Sequence, residues 1–303
     1  MEKINQLYCS NGVKFFDKKI RNNLKLTEYK DINKPVLFFG AYRADLENKK
    51  KYNEHKGKCI FLLTGSDISP YVSSYKKNYL ANIEYFKKMD TERCKIITIS
   101  NYQSNLLKKH NIPHTNINIG WTMNNNFSPI TKGNNIYIYS SYHNPNYYGS
   151  YIYEEIYRRL KDKYNFIIAC AVKPDTINKV ETLTQKLIKS YPEPFDIYKK
   201  CFIGLRIVPF DGNANTVKEM GICGIRVIHN GQDKNCIPWI FNEILFNEKI
   251  NSTDPIKKKA LNIAVEDIIQ KIEFESQFIG KIDQKLSDDV KNNISFDDKF
   301  LYI

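Results

Sequence analysis

Two acids, Asp211 and Glu219, stand eight positions apart in the stretch Pro209-Phe-Asp-Gly-Asn-Ala-Asn-Thr-Val-Lys-Glu-Met-Gly-Ile-Cys-Gly-Ile-Arg-Val-Ile228. Between them lies a turn that opens into a helix. Gly212 would let the backbone approach a ligand with no Cβ in the way, and Asn213 or Asn215 would cap the helix. The free N–H groups of its first turn, around Asn215 and Thr216, would then seat an anion. Glu219 lies about one turn into the helix, where a carboxylate accepts hydrogen bonds from vicinal hydroxyls. Asp211 sits at the end of the preceding strand, on the other side of the anion seat. A ribose on one acid, a transferring sugar on the other and a phosphate between them make up the chemistry of a sugar nucleotide.

The flanking runs position these groups. Cys201 to Val208 is an apolar stretch of strand character and Arg226 to Ile228 is another, so the acids fall inside a strand-helix-strand unit. Ligands of such units sit outside the carboxyl ends of the strands, where the loop Pro209 to Asn215 belongs.

On these residues the segment resembles the donor-site motif of GT-B glycosyltransferases, in particular the retaining family-4-like group. That pattern is acid, seven residues, Glu, a short helix and a Gly-x-Pro-Val-type strand. Asp211, Gly212, Glu219, Met220, Gly221, Gly224, Val227 and Ile228 match it. Asp211 stands where the family usually has Glu, and Arg226 where Pro is common. The resemblance implies an α/β chain of two Rossmann-like parallel-sheet domains facing across a cleft. It implies transfer of a sugar from a nucleotide-diphosphate donor to a hydroxyl acceptor on a glycan, protein or lipid carrier, with retention. Asp211 would be the catalytic residue that holds the transferring sugar, and Glu219 would hold the ribose. Neither a metal nor a cofactor beyond the donor would be required.

The family also places an Arg and a Lys near the diphosphate, and here the chain departs from it. The corresponding loop, Ser141-Tyr-His-Asn-Pro-Asn-Tyr-Tyr-Gly149, offers only His143. Lys173 follows the next strand, and Arg206 lies in the apolar run before the motif, where a buried acid or a ligand is needed to balance it. In the first half, Gly40-Ala-Tyr-Arg-Ala-Asp45 and Thr64-Gly-Ser-Asp67 both follow strands. Arg43, Ser66 and Asp67 are accordingly the acceptor-side candidates, with turn chemistry as the competing explanation of the second segment.

The elements that carry these loops alternate. Strands are expected at Gln6 to Ser10, Pro35 to Phe39, Cys59 to Leu63 and Cys94 to Ile99. Helices are expected over Val13 to Leu24, Lys76 to Met89 and Ser100 to His110, with a short strand at Asn116 to Gly120. Trp121 to Asn135, with three consecutive asparagines, a Pro and a Gly, reads as an interdomain linker. The second half repeats the order: strand Asn135 to Ser141, helix Ser150 to Lys161, strand Asn165 to Val172 and helix Thr176 to Ser190. Leu261, Val265, Ile268, Ile269 and Ile272 then recur at helical spacing. This gives an N-terminal domain over 1–125 and a C-terminal domain over 126–303, whose last helices, from about 274, cross back in the family it resembles.

Length and composition fit this reading. With 303 residues, 42% of them apolar and 26% charged, the chain is globular and long enough for two domains, and no apolar run approaches a membrane span. The N-terminus lacks a secretory layout, so a soluble cytoplasmic protein is expected. The seven cysteines show no Cys-x-x-Cys spacing and read as reduced thiols, with no metal site. A net charge of +13 is spread over the whole chain with no aromatic-basic motif, so no nucleic-acid partner is expected. The charge would still attract anionic donors or a membrane surface. The competing readings are an epimerase or hydrolase of nucleotide sugars on the same fold, and a basic binding protein with a decayed donor site.

Overall fold

The computed structural model describes residues 2–65, 67–70, 73–123, 126–140, 145–170, 194–212, 214–247 and 249–302. Ser66, His143, Lys173, Asn213 and the helix expected over Thr176 to Ser190 lie outside the described residues. Two compact units are present: Met1–Met123 with Phe210–Asn215 and Ile294–Ile303, and Asn124–Pro209 with Thr216–Asn293.

The first unit runs β1 (Gln6–Cys9), α1 (Asp17–Leu24), β2 (Thr27–Glu28), β3 (Val36–Phe39), α2 (Leu46–Glu54), β4 (Cys59–Leu62), α3 (Ser73–Lys87), β5 (Cys94–Thr98), α4 (Asn101–Lys109) and β6 (Thr115–Asn116). Its strands pair in parallel in the order β2-β1-β3-β4-β5-β6. Strands β3 and β4 are buried along their whole length, which explains why they read as unbroken apolar runs. Alternate side chains feed two layers. Leu37, Phe39, Ile60 and Leu62 join α1 on one face, while Val36, Phe38, Cys59 and Phe61 meet Tyr52 of α2 and Phe86 of α3 on the other. Strand β2 and helix α2 left no pattern in the sequence. Both residues of β2 are exposed, and α2 (Leu-Glu-Asn-Lys-Lys-Lys-Tyr-Asn-Glu) buries only Asn48 and Tyr52.

The second unit runs β7 (Asn135–Ser140), α5 (Ser150–Leu160), β8 (Asn165–Cys170), α6 (Pro194–Tyr198), β9 (Cys201–Leu205), α7 (Asn215–Ile222), β10 (Arg226–Ile228), β11 (Cys236–Ile237), α8 (Pro255–Ser276) and α9 (Gln284–Asn292). Its parallel sheet has the order β11-β10-β9-β7-β8. The chain leaves β7 for β8 on one side and returns to β9 on the other, so the strand order reverses at the β7/β9 junction. In open α/β sheets this is where ligands bind. The periodic face of α8 packs Ala264, Val265, Ile268 and Ile272 into a core with Ile136, Ile138, Ile152, Ile156, Phe202 and Leu205.

The stretch expected to be a polar linker is pinned instead. Trp121 is fully buried, donates its indole N–H to the Asp297 carbonyl at 3.0 Å and joins the first unit's core, while Phe127 is buried in the second unit. The asparagines hid two aromatic anchors. Ile294–Ile303 packs in the first unit, where Gly120 N–H meets the Ser295 carbonyl at 2.8 Å.

Asp67 shows how the strand ends of the first unit are fixed. It is fully buried, and its carboxylate accepts the N–H of Ala41 at 2.8 Å, of Thr64 at 3.0 Å and of Gly65 at 2.9 Å. One side chain thus ties the loops after β3 and β4 together. Burial raises its pKa, and the backbone donors oppose that rise. An Asp67→Ala variant would strand three amides and is expected to lose about 3 kcal/mol or more, read as a lower midpoint in urea unfolding; an unchanged midpoint would contradict this role.

Candidate functional site

Helix α7 carries Glu219, and its seat on the sheet is tightly specified. A Cβ on Gly204, in the middle of β9, would lie 2.7 Å from the Met220 sulfur and 3.1 Å from a Val227 methyl, so glycine leaves the space that the Met220 thioether fills. Asn235 holds the helix and its exit, donating from Nδ2 to the carbonyls of Val217 at 2.7 Å and Ile225 at 3.1 Å.

Glu219 is consequently inside, with only 8% of its surface exposed. The Tyr198 hydroxyl at the end of α6 donates to its Oε2 at 2.9 Å. Tyr198 is itself buried edge-on against Tyr137 of β7 at 5.5 Å and close to Phe127 at 5.9 Å. Burial first, and then the charges of its neighbours, raise the Tyr198 pKa well above its ordinary value. The phenol therefore keeps its proton and remains a donor.

Arg206 stands just past the end of β9, at the strand-order reversal. It is 8% exposed, and its guanidinium lies 4.2 Å from the ring centre of Tyr139 and 5.6 Å from that of Tyr148. The cation has two aromatic faces beside it. Its carbonyl meets His229 Nδ1 at 3.0 Å, and its N–H continues the ladder to Ile228 at 3.1 Å. Tyr137 is within electrostatic reach of both Arg206, which lowers its pKa, and Glu219, which raises it; burial dominates and the net shift is upward. The odd-numbered face of β7 serves this site, and the even-numbered face serves the core.

The other sequence candidates fall elsewhere. The segment Phe210–Asn215 packs with the first unit, and with it Asp211, half-buried and engaged with neighbouring groups. Asp211 and Glu219 thus belong to different units. Gly212 makes its close approach to protein backbone: a Cβ there would lie 2.7 Å from the Thr64 carbonyl oxygen. Phe210 stacks at 3.7 Å on Tyr102 of α4. Asn215 is the first residue of α7, and its side chain is held by Thr122, which donates to Oδ1 at 2.8 Å and accepts from Nδ2 at 3.2 Å.

Arg43, expected to meet an acceptor, is buried. Its guanidinium lies 3.6 Å from the ring centre of Tyr85 and donates from Nη2 to Asn53 at 2.9 Å, and burial lowers its pKa. Asp67 is enclosed by backbone amides and has no exposed surface for an acceptor hydroxyl. Each side chain is engaged in the packing of its own unit.

Two residues near Glu219 went unnoticed in the sequence. Tyr198 has no spacing relation to the motif, and only the fold brings α6 beside α7. Lys218 looked like an ordinary helix lysine, yet it is 1% exposed. Its neighbours Val217 and Met220 mark the buried face, and α7 is so enclosed that the lysine goes in with them. Among the described residues, no three His, Cys, Asp or Glu side chains gather as a metal site, and no helix is long and apolar enough to cross a membrane.

Several solved structures share this architecture. A TarM mutant from S. aureus in complex with fondaparinux, alpha-GlcNAc-glycerol and UDP is similar over 93% of this chain and 56% of its own, at 13% identity and a TM-score of 0.56. The fold is that of the GT-B glycosyltransferases. The pneumococcal O-GlcNAc transferase GtfA in complex with UDP and GlcNAc is similar over 95% of this chain and 57% of its own, at 12% identity and a TM-score of 0.55. A glycosyltransferase from Rickettsia africae is similar over 97% of this chain and 94% of its own, at 15% identity and a TM-score of 0.55. The chain thus spans little more than half the length of the TarM and GtfA structures. No family model and no curated protein matches it.

In this GT-B frame, Arg206→Lys keeps the charge at the β7/β9 junction and removes the flat guanidinium over Tyr139. It is expected to cost about 1 kcal/mol in urea unfolding. An unchanged midpoint would show that the stack contributes nothing.

Proposed function

We propose that the chain is a glycosyltransferase that moves a sugar from a nucleotide-diphosphate donor to a hydroxyl acceptor. The observation that carries this is an arginine at the strand-order reversal of a GT-B-fold sheet, in a unit that also holds a buried hydrogen-bonded carboxylate. Structures of the same fold hold UDP. In this reading Glu219 accepts hydrogen bonds from the ribose hydroxyls. Arg206 and the first N–H groups of α7 take the diphosphate, which gains charge as the glycosidic bond breaks. Asp211 holds the transferring sugar. Supplying that stabilisation from arginine and backbone amides makes the reaction metal-independent, and the resemblance to the family-4-like group favours retention. A glycan hydroxyl is the acceptor class, by analogy with the ligands in the TarM and GtfA complexes. The protein would act in the cytoplasm. Its net charge of +13 would bring it to anionic carriers at a membrane surface.

A donor that binds only the folded state raises its stability by about 2.7 kcal/mol at a hundredfold excess over Kd. A thermal-shift screen of UDP-, GDP-, dTDP- and ADP-sugars is expected to give one clear upward shift. Glu219→Ala should weaken that donor tenfold or more (about 1.4 kcal/mol or greater), whereas Asp211→Asn should mainly lower turnover. No shift with any nucleotide sugar would contradict the proposal.

A further inference from the structure

We propose that Tyr198 is a positioning residue for nucleotide recognition: its hydroxyl holds one oxygen of Glu219 so that the carboxylate faces a ribose diol in a single orientation. This rests on the reading that Glu219 receives the ribose.

The geometry is directional. An ionised carboxylate only accepts, so at 2.9 Å the Tyr198 O–H must be the donor to Oε2. The donor lies on α6 and the acceptor on α7, so the bond also joins the two helices.

The phenol cannot swing away, because its ring is buried between Tyr137 and Phe127. Helix α6 is tied to β9 by the Cys201 thiol, which donates to the Ile197 carbonyl at 3.3 Å. A long acidic side chain has free torsions, and fixing it before the ligand arrives removes an ordering cost from binding. Tyr198 lies outside the run of motif residues, so its part is a product of the fold.

The test compares nucleotides that differ only in the diol. Affinities of UDP, GDP and ADP, and of the 2′,3′-dideoxy form of the tightest binder, are measured by titration calorimetry on wild type, Tyr198→Phe, Glu219→Ala and the double variant. Tyr198→Phe is expected to weaken the ribonucleotide about tenfold and the dideoxy form less than about twofold. In the Glu219→Ala background, which lacks the acceptor, it should cost nothing further. Equal losses on both nucleotides would make Tyr198 a purely structural residue and overturn the inference, as would undiminished ribonucleotide affinity. Because both nucleotides report on the same folded variant, a general loss of stability cannot imitate the expected pattern. Failure of wild type to bind any of the three nucleotides would instead bring down the transferase reading, and this inference with it.

Discussion

The close seating of α7 on β9 is the constraint from which the candidate site follows. A strand in the middle of a parallel sheet is covered on both faces, and the distance at which a helix can cover it is set by the side chains between them. At Gly204 there is no side chain, and Met220 fills the space. With α7 drawn in, the residues beside Met220 have nowhere to go but inward, and two of them are Lys218 and Glu219.

Charges taken inside need partners, and the second unit supplies them by unlike means. Glu219 has a phenol, and Arg206 has two aromatic faces. A guanidinium stacked on aromatic rings keeps its charge. The same economy runs through the first unit, where Arg43 lies over Tyr85 and Asp67 gathers backbone amides. There the partners close around the charge and leave it no outlet to a ligand.

Much of this was legible in the sequence, and what was not has physical causes. Apolar runs such as Val36 to Phe39 and Cys201 to Leu205 announce buried parallel strands, and Ser100 announces the start of α4, where its hydroxyl accepts the Gln103 N–H at 3.3 Å. The period of α8 was equally plain. Strands of two residues, such as β2 and β11, are made by their neighbours and carry no pattern of their own. The strand expected over Asn116 to Gly120 is the two-residue Thr115–Asn116, because Ile117 and Ile119 turn into the core. The acids of the motif were visible as a spacing, but spacing is silent on packing, and so the assignment of Asp211 and Glu219 to different units was hidden. Gly212 was read as an opening for a ligand because a close approach looks the same in sequence whichever partner makes it.

The central claim is that the carboxylate of Glu219 and the guanidinium of Arg206 receive a nucleoside diphosphate. A crystal structure of the protein grown with the tightest-binding nucleoside diphosphate tests it most directly. The account predicts ribose hydroxyls within about 3.2 Å of Glu219 and a phosphate oxygen within the same distance of Arg206 or the first amides of α7. A nucleotide bound elsewhere on the chain, with Glu219 still touching only protein, would contradict it.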